Sequence, residues 1–422
     1  MMVVLSLYYT IDAIFVANFV GEEGLAAINI AYPFQGILWG FAVMLAAGSS
    51  ALVGIEMGQG KGTKADEDFT FVCVFGVILG LLWTVLGLVF LDPIVSFLGA
   101  TEVLTEDCHI FLSVFVWGCP VAFLGVLYEF FIRVDGHPAF TIALYVAGGI
   151  VHLGLDILLM GPLNMGLKGA AIANISGLAA TAFMGLAYFL LKDTRLNYRK
   201  FTCDWKYIGH SFVNGSPELI NESAGGIMVF FYNIILIGMA GETGVAAGAI
   251  VLQINYLILS VHIGYQVGCM PLISYFYGAA RFEKINRIMR YTAWYIAIAS
   301  VLATVVCIVF APQITSVYTD RGTELFDMSV YGLRVSSLSL LAAGINIFAS
   351  GFFTCYGNGL VSSIISISSG IVMLLVGLFT LPHFFGITGA WLALVFAQFT
   401  TLTLSFAMMR KYRGRYHYKI FG

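Results

Sequence analysis

Gly21-Glu22-Glu23-Gly24-Leu25-Ala26-Ala27 returns as Gly241-Glu242-Thr243-Gly244-Val245-Ala246-Ala247, an offset of 220 (Gly241 against Gly21), and that return decides the fold. The same offset pairs Gly48 with Gly268, Gly58 with Gly278 and Lys61 with Arg281. Further on it pairs Gly166, Gly169, Ala170 and Ala173 with Gly386, Gly389, Ala390 and Ala393. Gly- and Ala-rich segments match by chance over a few residues. One gap-free offset that holds at both ends of each half marks an internal duplication.

Outward from these turns the chain is apolar. Of its 422 residues 60% are hydrophobic and 10% charged, mean hydropathy is +0.93, and 35 Phe and 21 Tyr are present. Such a chain has lipid as its solvent, where only helices or closed barrels satisfy their own backbones. The apolar runs have helix length, about 20 residues or more, unlike the short alternating segments of a barrel. Twelve are read between polar breaks, at 1–20, 25–56, 68–91, 107–132, 138–160, 166–191, 209–239, 244–277, 285–310, 324–354, 360–381 and 387–409. Short turns such as Tyr356-Gly357-Asn358-Gly359 separate them. The expected fold is an all-α polytopic membrane protein with twelve transmembrane helices in two pseudo-symmetric six-helix lobes. The lobes are 1–191 and 209–422, the second ending in a basic tail, and 192–208 is a linker. Six spans return the chain to its starting side, so both lobes share one orientation, as in transporters built from parallel repeats.

The basic residues give the orientation. Of 20 Lys and Arg, 17 fall in alternate loops on one side, Lys168 and Arg321 lie on the other, and Arg334 is within the tenth span. Short cytoplasmic loops collect such residues, so both termini are expected in the cytoplasm. The chain starts inside an apolar run without the basic lead of a signal peptide, and the expectation is a first helix cut short in this sequence. A net charge of -3 sorted by side gives no footprint for nucleic acid. Seven scattered Cys without CxxC spacing read as small core residues.

Charge within the spans is rare and therefore informative. Asp12 stands alone in the first run, where a carboxylate at the centre of a helix costs about 2.5 to 3.5 kcal/mol on insertion scales. His152 and Asp156 are four apart in the fifth span and share a face. Counted from the outer helix ends, Asp12, His152 and Asn174 lie about 12 to 14 Å deep, with Asp156 about one turn nearer the outside. Interhelical hydrogen bonding alone is the plain alternative for this layer. Glu218 and Glu222 are four apart at the start of the seventh span, either in water at the interface or in a gating or substrate role. Glu129 and Arg133 read as an interfacial ion pair, and His262 as a packing residue. Arg334 either neutralises a carboxylate or snorkels outward. Tyr32, Phe34, Tyr232, Tyr256 and Tyr265 are candidate ring faces for organic cations, and Pro33, Pro120, Pro217 and Pro271 candidate bend points.

Several strings resemble the multidrug and toxic compound extrusion (MATE) transporters, in particular their MepA-like bacterial branch. They are Tyr9-Thr10-Ile11-Asp12-Ala13-Ile14-Phe15-Val16, Gly24-Leu25-Ala26-Ala27-Ile28-Asn29-Ile30-Ala31-Tyr32-Pro33, Arg133-Val134-Asp135-Gly136-His137-Pro138 and Gly166-Leu167-Lys168-Gly169-Ala170-Ala171. In the second half Asn214-Gly215-Ser216-Pro217-Glu218 and Gly386-Ile387-Thr388-Gly389-Ala390-Trp391 are similar to the same branch. The resemblance implies an ion-coupling site at Asp12, His152, Asp156 and Asn174, while Glu218, Glu222, Tyr32 and Tyr256 remain the residue-level candidates for a substrate cavity or gate. It also departs from the pattern, because His152 stands where the family has Asn and Asn174 where it has Thr. An imidazole offers one lone pair and titrates near neutrality, which favours protons over sodium, although Asp12 and Asp156 retain oxygens for Na+.

The resemblance implies a secondary active antiporter, a monomer in the bacterial inner membrane among lipids, exporting small organic cations or drugs without a cofactor beyond the coupling ion. Two alternatives are a lipid-linked oligosaccharide flippase of the same superfamily and an intramembrane enzyme. No GxxxxGK[ST] string is present and no nucleophile-base set supports the second, so no enzyme is expected.

Overall fold

The computed structural model describes residues 15–16 and 19–419, and among these every regular element is helical. Apolar residues fill whole helices instead of one stripe, and many large ones remain exposed, such as Ile150 and Val305. In lipid that outward apolar surface is solvated. The protein is thus a polytopic, all-α membrane protein. Among the described residues nine helices are long and apolar enough to cross, and a bent pair, Glu102–Trp117 with Cys119–Val134, at 54°, passes the same test when taken together. The helix Trp205–Gly278 has 74 residues, about 110 Å at 1.5 Å per residue, so it is two spans in series. Its break falls at Ala240 and Gly241, where Gly241 takes φ 59. That is the turn read in the sequence repeat.

The first compact unit is 1–219 and the second 220–422. In the first, Glu22–Gly58, Gly62–Val89, the bent pair, Pro138–Met160 and Gly166–Leu191 supply the second to sixth spans. In the second, the continuation of the long helix is followed by Phe282–Val309, Glu324–Cys355, Gly359–Phe385 and Ile387–Tyr416. Backbone geometry repeats with the sequence. Gly62–Val89 and Phe282–Val309 differ by the same 220, and their caps Lys61 and Arg281 have φ, ψ of -89, 52 and -90, 63. Gly166 and Gly386 open the sixth and twelfth spans at φ 56 and 58. Only glycine enters that left-handed region without a Cβ penalty, which is why these positions carry the repeat.

Segment 192–204 is irregular yet fixed to the first unit. Asp135 is fully buried and accepts hydrogen bonds from the Arg195 and Leu196 amides at 2.6 and 3.0 Å and from the Tyr188 hydroxyl at 2.5 Å. Asp66 accepts from the Asn197 amide at 2.9 Å, and Thr70 from the Arg199 amide at 3.0 Å. Tyr198 shares a 2.5 Å hydrogen bond with Tyr128, and burial holds its phenol far above the usual tyrosine range. The next helix then packs backbone against backbone on the second span. A Cβ on Gly48 would strike the Ser211 carbonyl and come within 2.7 Å of the Gly215 amide.

Several expectations need correction. Pro33, Pro217 and Pro271 lie within continuous helix, and the bend in the fourth span falls at Gly118, two residues before Pro120. Phe34 and Tyr232 are buried core residues, and the Tyr232 hydroxyl donates to the Ala390 carbonyl at 2.9 Å. Of the seven cysteines, all reduced, five are buried as core residues.

Candidate ion-coupling site

The fifth span, Pro138–Met160, buries Leu144, Gly148, His152, Asp156 and Met160, one residue per turn. This face meets the sixth span, Gly166–Leu191, through facing glycines. A Cβ on Gly177 would lie 2.9 Å from the Gly148 carbonyl oxygen and 2.9 Å from His152 Cβ. A Cβ on Gly148 would lie 2.5 Å from Thr181 Oγ1. The two small residues therefore bring the helices close enough to hold His152 against the opposite backbone.

His152 Nε2 lies 3.1 Å from Asp156 Oδ2, and both side chains are 0% exposed. Beyond that contact neither Asp156 oxygen receives a hydrogen bond from a described residue. A carboxylate at such depth is expensive unless an ion, a proton or a partner compensates it. Asn174 is half-buried on the sixth span. Gly177 lies opposite His152 and Gly169 opposite Leu159, so antiparallel register brings Asn174 level with Asp156. Asp12, the fourth member expected from sequence, lies outside the described residues.

The remaining candidates differ in exposure and contacts. Glu218 is half-buried and Glu222 exposed on the seventh span. Tyr32 is 66% and Tyr256 57% exposed. Tyr265 stacks on Tyr295 at 3.9 Å between centroids and hydrogen-bonds Thr292. His262 is buried and hydrogen-bonded to Ser300 at 2.9 Å, the packing role read from sequence. Arg334 is exposed, and its Nε donates to the Ile308 carbonyl at 3.2 Å in the last turn of Phe282–Val309, where a cation complements the helix dipole.

Glu129 and Arg133 are paired, as read from sequence, and the pair is buried within the protein. Their side chains are 6% and 5% exposed, and the Tyr145 hydroxyl also donates to Glu129. Sequence reasoning also passed over a cleft at one end of the first unit, lined by Glu56, Lys64, Tyr207 and His210. Lys64 Nζ there lies 3.0 Å from Asp68 and 3.7 Å from Asp204. The signal available was the run Lys64-Ala65-Asp66-Glu67-Asp68, which reads equally well as a solvated helix start.

Comparison with known proteins agrees with this architecture. The MatE family profile matches residues 1–158 and again 222–379, two copies whose starts lie within one residue of the repeat offset. The chain belongs to the MatE family. It is 25% identical over 404 residues to the multidrug export protein MepA of Staphylococcus saprophyticus, covering 93% of this chain and 87% of the relative. To MepA of Staphylococcus aureus it is 23% identical over 400 residues with the same coverage. Among solved structures, a MATE protein in complex with MaL6 aligns with a TM-score of 0.93 at 22% identity, over 99% of this chain and 95% of that one. An outward-facing multidrug resistance MATE family transporter of the MOP superfamily aligns with a TM-score of 0.91 at 22% identity, over 99% and 93%.

Proposed function

We propose that this protein is a multidrug exporter working by alternating access, in which entry of protons drives exit of small organic cations. The multidrug export relatives support the substrate class. The observation that carries the coupling is the wholly buried His152 and Asp156 pair, one carboxylate whose described compensation is a titratable ring. A proton arriving from outside neutralises the pair and favours the arrangement that releases drug outward. Loss of the proton inside restores a charged site and the affinity for a cation, so the gradient biases a two-state equilibrium. Asp12 and Asn174 complete the site in this reading. The exposed rings of Tyr32 and Tyr256 and the carboxylates of Glu218 and Glu222 serve the cation. The 17 basic residues on one side support both termini inside, and the bacterial relatives support placement in a bacterial inner membrane.

Asp156→Asn tests the coupling, because the amide keeps the size and cannot exchange a proton. In proteoliposomes with separate pH and sodium gradients, fluorescent-cation efflux driven by pH is expected to vanish in the variant while cation binding persists. Undiminished pH-driven efflux would remove Asp156 from the mechanism. Parental efflux driven by sodium and not by pH would overturn the proton assignment.

A further inference from the structure

The ninth span, Phe282–Val309, presents an outward stripe that the transport reading does not use. Arg287, Tyr291, Trp294, Ile298, Leu302 and Val305 recur at helical spacing and are all exposed, Tyr291 by 54%, Trp294 by 67% and Ile298 by 62%. The order along the helix is chemical: cation first, then aromatic rings, then aliphatic side chains. Lys284 and Arg290 are exposed as well and flank Arg287 by about 60° on either side of the helix. Arg287 Nε donates to the Tyr291 hydroxyl at 3.0 Å, and the guanidinium lies 5.5 Å from that ring's centroid. This holds the fork in place, and no described residue takes its two terminal nitrogens.

The fold does not require such a stripe. In the repeat-related third span, Gly62–Val89, Glu67 stands at the place of Arg287, Phe71 at that of Tyr291 and Val74 at that of Trp294. Phe71 is buried beneath Phe201, with centroids 5.4 Å apart, and Lys64, the counterpart of Lys284, is engaged by Asp68 and Asp204. Further along, Val74, Ile78, Leu82 and Val85 stay exposed as their counterparts do, so the copies differ at the foot of the face, which one has covered at Phe71 and the other has left open, aromatic and basic.

We propose that the stripe binds one anionic phospholipid, its phosphate on Arg287 with Lys284 and Arg290 and an acyl chain along Trp294, Ile298 and Leu302. A guanidinium fork matches phosphate oxygens, and a basic foot beneath an aromatic girdle suits the level where headgroup meets hydrocarbon. From Arg287 to Ile298 the helix rises about 16 Å, close to one leaflet of a roughly 30 Å core. The proposal needs only that this helix crosses a bilayer, so it stands or falls apart from drug export.

The test is lipid titration of the full-length protein by native mass spectrometry, phosphatidylglycerol against phosphatidylcholine. The parent is expected to hold one phosphatidylglycerol in preference. Arg287→Gln with Arg290→Gln weakens it about twenty-fivefold, from about fivefold for each basic residue lost. Arg410→Gln with Arg413→Gln removes the same charge elsewhere and is expected to keep the tight lipid. Absence of a preference in the parent, equal binding by the stripe variant, or equal loss in the control would each overturn the site. Independently, brominated phosphatidylglycerol is expected to quench a fluorescence component that Trp294→Phe removes. Equal quenching by brominated phosphatidylcholine would refute anion selectivity.

Discussion

At Gly177 there is no room for a methyl group. Its missing Cβ would sit 2.9 Å from the Gly148 carbonyl oxygen and 2.9 Å from His152 Cβ, so alanine must push either a backbone or the ring of the proposed site. Gly177→Ala is therefore expected to cost about 1 to 3 kcal/mol, as overpacking does. Thermal unfolding in detergent reads that loss, and efflux in proteoliposomes should fall further than the loss of folded protein explains, because His152 moves too. Unchanged unfolding temperature and efflux would show that the fifth and sixth spans separate easily. His152 and Asp156 were legible as a pair because a spacing of four on a helix needs no tertiary information. The burial of Glu129 and Arg133 was not, since the same spacing says nothing of Tyr145, sixteen residues away, which closes over the pair.

Helix existence was legible from apolar length, and the ends were less so. The third span begins at Gly62 and not near 68, because Asp68 and Lys64 form a local pair that lets polar residues continue the helix. The linker differs more in character than in extent. Composition marks it only as a basic linker, whereas Asp135, Asp66, Thr70 and Tyr128 bind its backbone and side chains, partners 60 to 131 residues distant that no local pattern reveals. Asp135→Ala should release this strap, at about 1 to 3 kcal/mol for each buried donor left without an acceptor. Limited trypsin digestion is the measurement: cleavage at Arg195, Arg199 and Lys200 is expected to accelerate in the variant. Cleavage at the parental rate would mean the remaining anchors suffice.

Across the molecule the duplication preserves backbone and discards chemistry. The 220 offset carries His152, Asp156 and Asn174 onto Val372, Val376 and Leu394. The eleventh span has a π-helical segment, Ser368–Val372, where the fifth is regular α-helix. Turns and glycines survived because they fix where helices start, while the buried acid was kept in a single copy. Val376→Asn is accordingly expected to leave the pH dependence of efflux unchanged, in contrast to Asp156→Asn. The pair of profiles in one proteoliposome assay checks it, and equal losses from both would assign coupling to both halves.

The strap on Asp135 also sets an order of events during synthesis. Arg195, which supplies the first backbone donor to that carboxylate, follows it by 60 residues. At about 5 to 20 residues per second the ribosome needs about 3 to 12 s to bridge that interval. Throughout it Asp135 has neither the Arg195 nor the Leu196 amide, so this end of the first bundle closes only once its sixth helix has been made. The tie from Asp135 to residues 195 and 196 is therefore among the last contacts that the first six-span lobe can make.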